Sequence, residues 1–337
     1  MQSTLQATRL APFGPDGLPV PAAALNPALL AIDWGSTALR GALLAADGTL
    51  LAGHSAPLGL LSIPAGGWAA VFEHEFGAWR AAHPGLLCLL AGMVGSRQGW
   101  VEAPYCACPA GLADLAAKLC WLPADPTSSG GRLAIVPGLS ITSDGLPDVM
   151  RGEETQVFGA LRLLAAMAAP PAGLTPQDAT LVLPGTHSKW VAVQGGRITG
   201  FATHMTGECY ALLRHQSMLA RSLPADDSAW RPDAFDRGVA RAQAPGGLLH
   251  HVFAVRTLAL FDREDGPALA CYLSGLLIGD ELRAQALAAG QPVLVVGSAA
   301  LTLRYQRALA QRGHPVCSVG AEAGWAGLLA LQGTLRA

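Results

Sequence analysis

The sequence predicts a two-domain α/β protein in which each half is a mixed sheet flanked by helices. Three observations carry this. The chain has 337 residues, more than one core usually holds, with 51% apolar and only 14% charged, so sizeable cores are expected. A run of three strands joined by tight turns, followed by strand–helix alternation, occurs twice. Between the two runs lies A-A-P-P-A-G-L-T-P-Q-D at 168–178, the best linker in the chain.

Residues 1–27 carry Pro, Gly and Ala without periodicity and lack the basic start and apolar stretch of a secretory signal, so they read as a loose N-terminal extension. Residues 28–34 and 38–46 read as paired strands, and Asp47-Gly48 turns the chain into a third strand near 49–55. Residues 68–81 suit an amphipathic helix, and 86–91 a buried strand closed by Gly92. A helix over 110–121, a strand at 133–137 and a helix from Glu153 to about Met167 complete an N-terminal lobe at 28–167. After the linker the opening pattern recurs. Residues 180–184 form a strand, Gly185–Lys189 a polar turn, Trp190–Val193 a strand, Gly195-Gly196 a hairpin turn and Ile198–Thr203 a third strand. Helices follow from about Thr206 and over 233–245, 248–261 and 266–289. Strand 292–297, helix 299–312, strand 315–319 and helix 321–333 close a C-terminal lobe at 179–337.

Composition excludes several classes. A net charge of −2 offers no basic excess for a nucleic-acid backbone or an anionic membrane. No run of 18 uncharged apolar residues suggests a membrane span. Seven cysteines, of which only Cys106 and Cys108 lie close together, fit neither a metal-site spacing nor a disulfide framework. They read as reduced thiols of a cytoplasmic protein. A homodimer is compatible with the sequence.

The first turn is the first candidate site. A glycine turn between strands leaves backbone N–H groups pointing outward, a concavity that suits phosphate oxygens. In Asp33-Trp-Gly-Ser-Thr37, Gly35 permits close approach, Ser36 and Thr37 add hydroxyl donors, and Asp33 suits a hydrated Mg²⁺, which takes one or two carboxylates and the nucleotide's own oxygens. An ordinary hairpin with a polar tip is the simpler alternative. The recurrence of the hairpin at 180–203 favours two tips that grip one polyphosphate across a cleft.

Asp33-x-Gly35-x-Thr37 matches the first phosphate motif of the actin, hexokinase and sugar-kinase superfamily. G-M-V-G-S-R-Q-G-W-x-E-x-P-Y (92–105), D-V-M-R-G-E-E-T-Q (148–156), L-P-G-T-H-S-K-W (183–190) and T-H-M-T-G-E-x-Y-A-L-L (203–213) resemble the signatures of 2-dehydro-3-deoxygalactonokinase over nearly all of 28–330. The resemblance implies two actin-like (ribonuclease H-like) ATPase lobes with a cleft between them. It also implies ATP-dependent phosphorylation of the 6-hydroxyl of a 2-keto-3-deoxy sugar acid, with Mg²⁺. Pro184-Gly185-Thr186 stands where the superfamily's second phosphate motif usually carries its own Asp-x-Gly, so metal binding is expected from the first lobe alone.

Within that resemblance, Gly185, Thr186 and Ser188 are expected to cradle the β- and γ-phosphates. Lys189 is a point charge on the γ-phosphate unless strand alternation turns it outward, and His187 an orienting residue. Arg151-Gly-Glu153-Glu154 opens a helix. Phosphoryl transfer needs a carboxylate that accepts the hydroxyl proton, and Glu154 is favoured, with Glu153 as metal-side or orienting neighbour and Asp144 and Asp148 as backups. Two glutamates that merely complement the helix dipole are the alternative. A sugar acid needs a cation for its carboxylate, for which Arg97 and Arg151 are candidates. Ser96 belongs to the same loop, Gln98 and Glu102 suit the sugar hydroxyls, and Trp100 suits its carbon face or the core. Glu208 touches the cleft or serves as a helix-start charge. Gly297-Ser298, between a buried strand and a helix, occupies the place of the adenosine motif. The alternative class is a phosphate or nucleotide hydrolase, or a nucleotide-gated binding protein, of the same fold.

Overall fold

The computed structural model describes residues 26–123, 131–226 and 229–336. Apart from Asn26 and Pro27, the expected N-terminal extension lies outside the described residues. The chain forms two compact units. One comprises the chain up to Ser140, Met150–Gly159 and the stretch from Glu322; the other comprises Ile141–Val149 and Ala160–Ala321.

In the first unit, β1 (Pro27–Trp34), β2 (Leu39–Ala45) and β3 (Leu50–Ala56) form an antiparallel meander. The turn at Asp47-Gly48 is made as its residues dictate: Gly48 has φ +95°, and Asp47 Oδ1 accepts the Thr49 N–H at 2.8 Å. Helix α1 (Trp68–Ala82) leads to β4 (Cys88–Gly92), which runs parallel to β1. β5 (Tyr105–Ala107), α2 (Leu112–Ala117), β6 (Cys120–Trp121) and β7 (Leu133–Ile135) follow. The main sheet has the order β3-β2-β1-β4-β7-β6. β1 is buried on both faces, as its unbroken apolar run requires. Leu30, Ile32 and Trp34 pack with Leu90 and with Phe72 and Phe76 of α1. Truncating either phenylalanine to alanine costs about 3–5 kcal/mol.

β8 (Gly138–Ser143), β9 (Leu146–Met150) and β5 make a small sheet of order β5-β8-β9. These short strands carry no sustained apolar alternation, so the sequence predicts no element over 138–150. Helix α3 (Glu153–Ala165) follows.

The second unit repeats the architecture. β10 (Ala179–Leu183), β11 (Ser188–Gln194) and β12 (Arg197–His204) form a meander, with Gly195 and Gly196 at φ +55° and +70° in the turn. Helices α4 (Thr206–His215), α5 (Pro232–Ala242), α6 (Gly247–Val252), α7 (Ala254–Leu260) and α8 (Gly266–Ala284) precede β13 (Val293–Val296). Helix α9 (Ala299–Gln311) and β14 (Val316–Val319) complete the sheet, whose order is β12-β11-β10-β13-β14, with β10, β13 and β14 parallel. Both units therefore place a three-stranded meander beside parallel strands in the same spatial order. α8 is buried along most of its length, and Leu273 and Leu276 share a core with Phe235, Val182 and Trp190.

The expected helix 110–121 is shorter and yields to β6, and 248–261 is two helices broken at Phe253. The division into units also departs from a single switch at 168–178. Helix α10 (Glu322–Arg336) packs with the first unit because small residues let backbones meet. A Cβ on Gly327 would lie 1.8 Å from Thr155 O, and one on Gly159 1.7 Å from Ala323 O.

Candidate active site

Polar residues gather at the C-terminal ends of β1 and β4 in the first unit, the end at which open α/β sheets bind ligands. Gly35 N–H donates to Ala38 O at 2.9 Å and closes the β1–β2 turn, leaving Ser36 and Thr37 exposed. Gly59 supports the tip from below: a Cβ there would sit 2.2 Å from Ser36 O. Gly35 is different. Its φ is not positive, and a Cβ would meet only Ala38 O at 3.7 Å, so nothing in this unit's packing demands a glycine. Burial raises the pKa of Asp33, and Arg40, its register partner on β2, pulls the other way.

The start of α3 sits against these strand ends. A Cβ on Gly152 (φ +105°) would lie 3.1 Å from Gly92 Cα. One on Gly92 (φ +96°) would lie 2.8 Å from Trp34 O and 3.3 Å from Asp33 Oδ1. Backbone contact through two glycines therefore brings Asp33 and the helix that carries Glu153 and Glu154 together. Glu154 is fully buried, and both its oxygens accept the Gly152 N–H, at 2.9 and 2.7 Å. Burial, and secondarily the Glu153 charge, push its pKa up to about 8. Glu153 Oε2 accepts the Arg151 N–H at 2.9 Å.

Arg151 lies beside this pair. Its Nη2 donates to Ala103 O at 2.8 Å, and its guanidinium carbon stands 4.3 Å from the centre of the Tyr105 ring. Its Nε and Nη1 are buried and have no partner among the described residues, as is true of the Ser96 hydroxyl. Nη1 lies 3.0 Å from where a Cβ on Gly95 would be. The other loop residues behave differently. The Arg97 side chain is 88% exposed and pairs with Glu102 at 3.2 Å, and Gln98 is exposed. Trp100 stacks on Phe72 at 5.5 Å, which makes it a core anchor. Of the two arginine candidates, Arg151 is packed against its neighbours and Arg97 is exposed.

In the second unit, the tip Gly185-Thr186-His187 leans on the start of α4. Thr186 O accepts the Glu208 N–H at 2.9 Å, a Cβ on Gly207 would lie 2.3 Å from Gly185 O, and His187 Nε2 lies 2.6 Å from Glu208 Oε2. Glu208 is thus a support of the tip. A Cβ on Gly185 would meet only His187 O at 3.9 Å, and one on Gly297 nothing nearer than 3.7 Å. Neither glycine has positive φ.

Ser188 and Lys189 correct an expectation. Both side chains are turned inward and bonded within the unit, so neither presents a donor at the tip. Ser188 Oγ donates to Glu281 Oε2 at 2.8 Å. Lys189 is 5% exposed, and its Nζ donates to Val149 O at 2.9 Å and Thr203 Oγ1 at 2.7 Å. Asp148, a backup base in the sequence reading, accepts the Thr203 N–H and hydroxyl at 2.8 and 2.6 Å, which commits both of its oxygens. Glu281 carries no local signal in the sequence, because beside Asp280 and Arg283 it reads as part of a solvated charged end of the helix.

Among the described residues, no cluster of three or more His, Cys, Asp or Glu side chains has metal-site geometry, and no helix is long and apolar enough to cross a membrane.

Two sheets that share the order of a meander beside parallel strands, each with a polar hairpin tip, are the architecture of the actin-like, two-lobe ATPase fold. The profile of the 2-keto-3-deoxy-galactonokinase family matches residues 33–331. The chain is 36% identical over 297 residues to the 2-dehydro-3-deoxygalactonokinase of Escherichia coli (strain K12), covering 88% of this chain and 92% of the relative. It is 34% identical over 297 residues to a candidate 2-dehydro-3-deoxygalactonokinase of Rhizobium meliloti (strain 1021), covering 87% and 92%. A crystal structure of a candidate 2-dehydro-3-deoxygalactonokinase from Sinorhizobium meliloti superposes with a TM-score of 0.79 at 32% identity, covering 90% of this chain and 97% of that one. The chain belongs to the 2-keto-3-deoxy-galactonokinase family, and it is an ATP-dependent sugar-acid kinase.

Proposed function

We propose that the chain transfers the γ-phosphoryl group of ATP to the 6-hydroxyl of 2-dehydro-3-deoxy-D-galactonate in the cytoplasm. The observation that carries this reading is Arg151. A half-buried arginine whose Nε and Nη1 are buried with no partner among the described residues, on the same unit as a Ser96 hydroxyl that is likewise unpartnered, is a costly arrangement unless an anion completes it. A substrate carboxylate is such an anion, and the arginine fixes it beside the start of α3.

Glu154 then accepts the proton of the attacking hydroxyl, and Glu153 orients the turn through the Arg151 N–H. Burial suits Glu154 to this role by raising its proton affinity toward neutral pH. Each polar tip taken by itself suits phosphate oxygens: Gly35–Thr37 through backbone N–H groups and the hydroxyls of Ser36 and Thr37, and Gly185-Thr186 through backbone N–H groups and the hydroxyl of Thr186. The open space over Gly35 and Gly185 supports this. Gly297-Ser298 lies against the adenosine. Asp33, the one carboxylate at the first tip, suits a Mg²⁺ that arrives with the nucleotide and offsets the charge of its phosphates. Phosphorus–carbon correlation NMR of the product tests the reaction. The phosphate is expected on C6, and a phosphate on another carbon overturns the assignment of the acceptor.

A further inference from the structure

Four hydrogen-bond donors converge on one buried carboxylate in the second unit that the mechanism above does not use. Glu281, near the end of α8, is 3% exposed. Its Oε2 accepts the hydroxyls of Ser188 at 2.8 Å, Tyr305 at 2.8 Å and Thr206. Its Oε1 accepts the indole N–H of Trp190 at 2.7 Å. No cation pairs with it among the described residues. An uncompensated buried carboxylate costs several kcal/mol, and here four donors offset that cost.

The origin of those donors is informative. Ser188 is the residue after the Gly185–His187 tip and opens β11. Thr206 opens α4, whose Gly207 packs against Gly185 O. Tyr305 comes from α9, eight residues after Gly297. One carboxylate thus ties together the start of β11, the start of α4 and α9, and these surround the tip. A small pocket of about 50 Å³, lined by Gly185, Gly207, Tyr210, Ser274, Arg304 and Tyr305 among others, lies beside it. A carboxylate only accepts, so all three hydroxyls must donate inward, and their protons are unavailable to a phosphate.

We propose that Glu281 is a positioning residue for phosphoryl transfer: it fixes the Gly185–His187 tip in the shape that receives the triphosphate. The inference rests on the reading that this tip holds the nucleotide's phosphates. A tip displaced by about 1 Å can cost as much as about 10²-fold in rate.

The test compares Glu281→Gln, Thr206→Val, Trp190→Phe and Gly185→Ala. Each is assayed for kcat, for KM of ATP and of the sugar acid, for calorimetric binding of a non-hydrolysable ATP analogue, and for Tm. Glu281→Gln sets an amide N–H₂ against at least one of the four donors. It is expected to weaken nucleotide binding about tenfold or more and to lower kcat, with KM for the sugar acid within about twofold of wild type. Thr206→Val keeps the carboxylate and removes one tie to α4, so it moves the same parameters in the same direction by less. Trp190→Phe removes the one donor to Oε1 and leaves the three hydroxyl ties on Oε2, so it is expected to lower Tm with a smaller rise in KM for ATP than Thr206→Val gives. If Glu281→Gln does not fold, Thr206→Val carries the test. Unchanged nucleotide binding in the folded Glu281→Gln or Thr206→Val protein overturns the proposal if Gly185→Ala still loses binding. Unchanged binding in Gly185→Ala overturns instead the reading of the tip itself.

Discussion

Gly152 and Gly92 meet backbone to backbone, with only 3.1 Å between Gly92 Cα and the place a Gly152 Cβ would take. Both have positive φ, +105° and +96°. No other residue type fits either position without strain, and the contact sets the first turn of α3 on the ends of β1 and β4. Sheet geometry is thereby transmitted to Arg151, Glu153 and Glu154 through main chain, the stiffest route available.

The raised pKa of Glu154 makes two pH dependences testable. As a base it acts ionised, so log kcat/KM for the sugar acid should rise with pH up to about 8 and then level off. Glu154→Gln should lower kcat by about 10²–10⁴ and flatten the profile. Stability moves the opposite way. A carboxyl whose pKa is raised by folding keeps its proton in the native chain after the unfolded chain has lost it. Stability should therefore fall as pH rises from about 4.5 to about 8 and stay level above, and Glu154→Gln should lack that decline. Chemical denaturation across this window checks it.

Arg151→Met should raise KM for the sugar acid by about 10²-fold and leave KM for ATP nearly unchanged, because it removes the cation and not the phosphate cradle. Arg97→Ala should change either KM by less than about threefold, since its exposed pair with Glu102 is weak. Steady-state kinetics with each substrate varied checks both. A larger effect at Arg97 than at Arg151 contradicts the assignment.

Gly35→Ala and Gly185→Ala should leave thermal stability unchanged or raise it by up to about 1 kcal/mol, because φ is permissive and the space is open. Both should nevertheless raise KM for ATP sharply. Gly59→Ala, with backbone 2.2 Å from its Cβ, should lose stability instead. Paired melting curves and kinetics separate the two kinds of glycine.

Lys189→Met should unfold more readily, by about 1–3 kcal/mol, because it leaves Val149 O and Thr203 Oγ1 without their charged donor, and Thr203 in turn serves Asp148. Urea denaturation measures the loss. A variant as stable as wild type, with only ATP affinity reduced, would return Lys189 to the phosphate.

Much of the fold was legible because its signals are local. Asp47-Gly48 and Gly195-Gly196 name their own turns, and the apolar runs of β1, β10 and β13 name buried strands. The placement of α10 was not, since Gly159 and Gly327 are ordinary helix glycines until brought together in space. The loop 95–105 announced a site but not which arginine served it. Arg97 and Arg151 are equal cations in sequence, and only burial over Tyr105 separates them. Ser188 and Glu281 show the same limit: a hydroxyl beside a glycine tip reads as a phosphate donor until its acceptor, 93 residues away, is known.

The most direct measurement follows ADP release from Mg²⁺ and ATP with and without 2-dehydro-3-deoxy-D-galactonate. The account predicts negligible ADP without the acid and one phosphorylated acid per ADP with it. Phosphate released at the same rate whether or not the acid is present would contradict the account and point to a hydrolase.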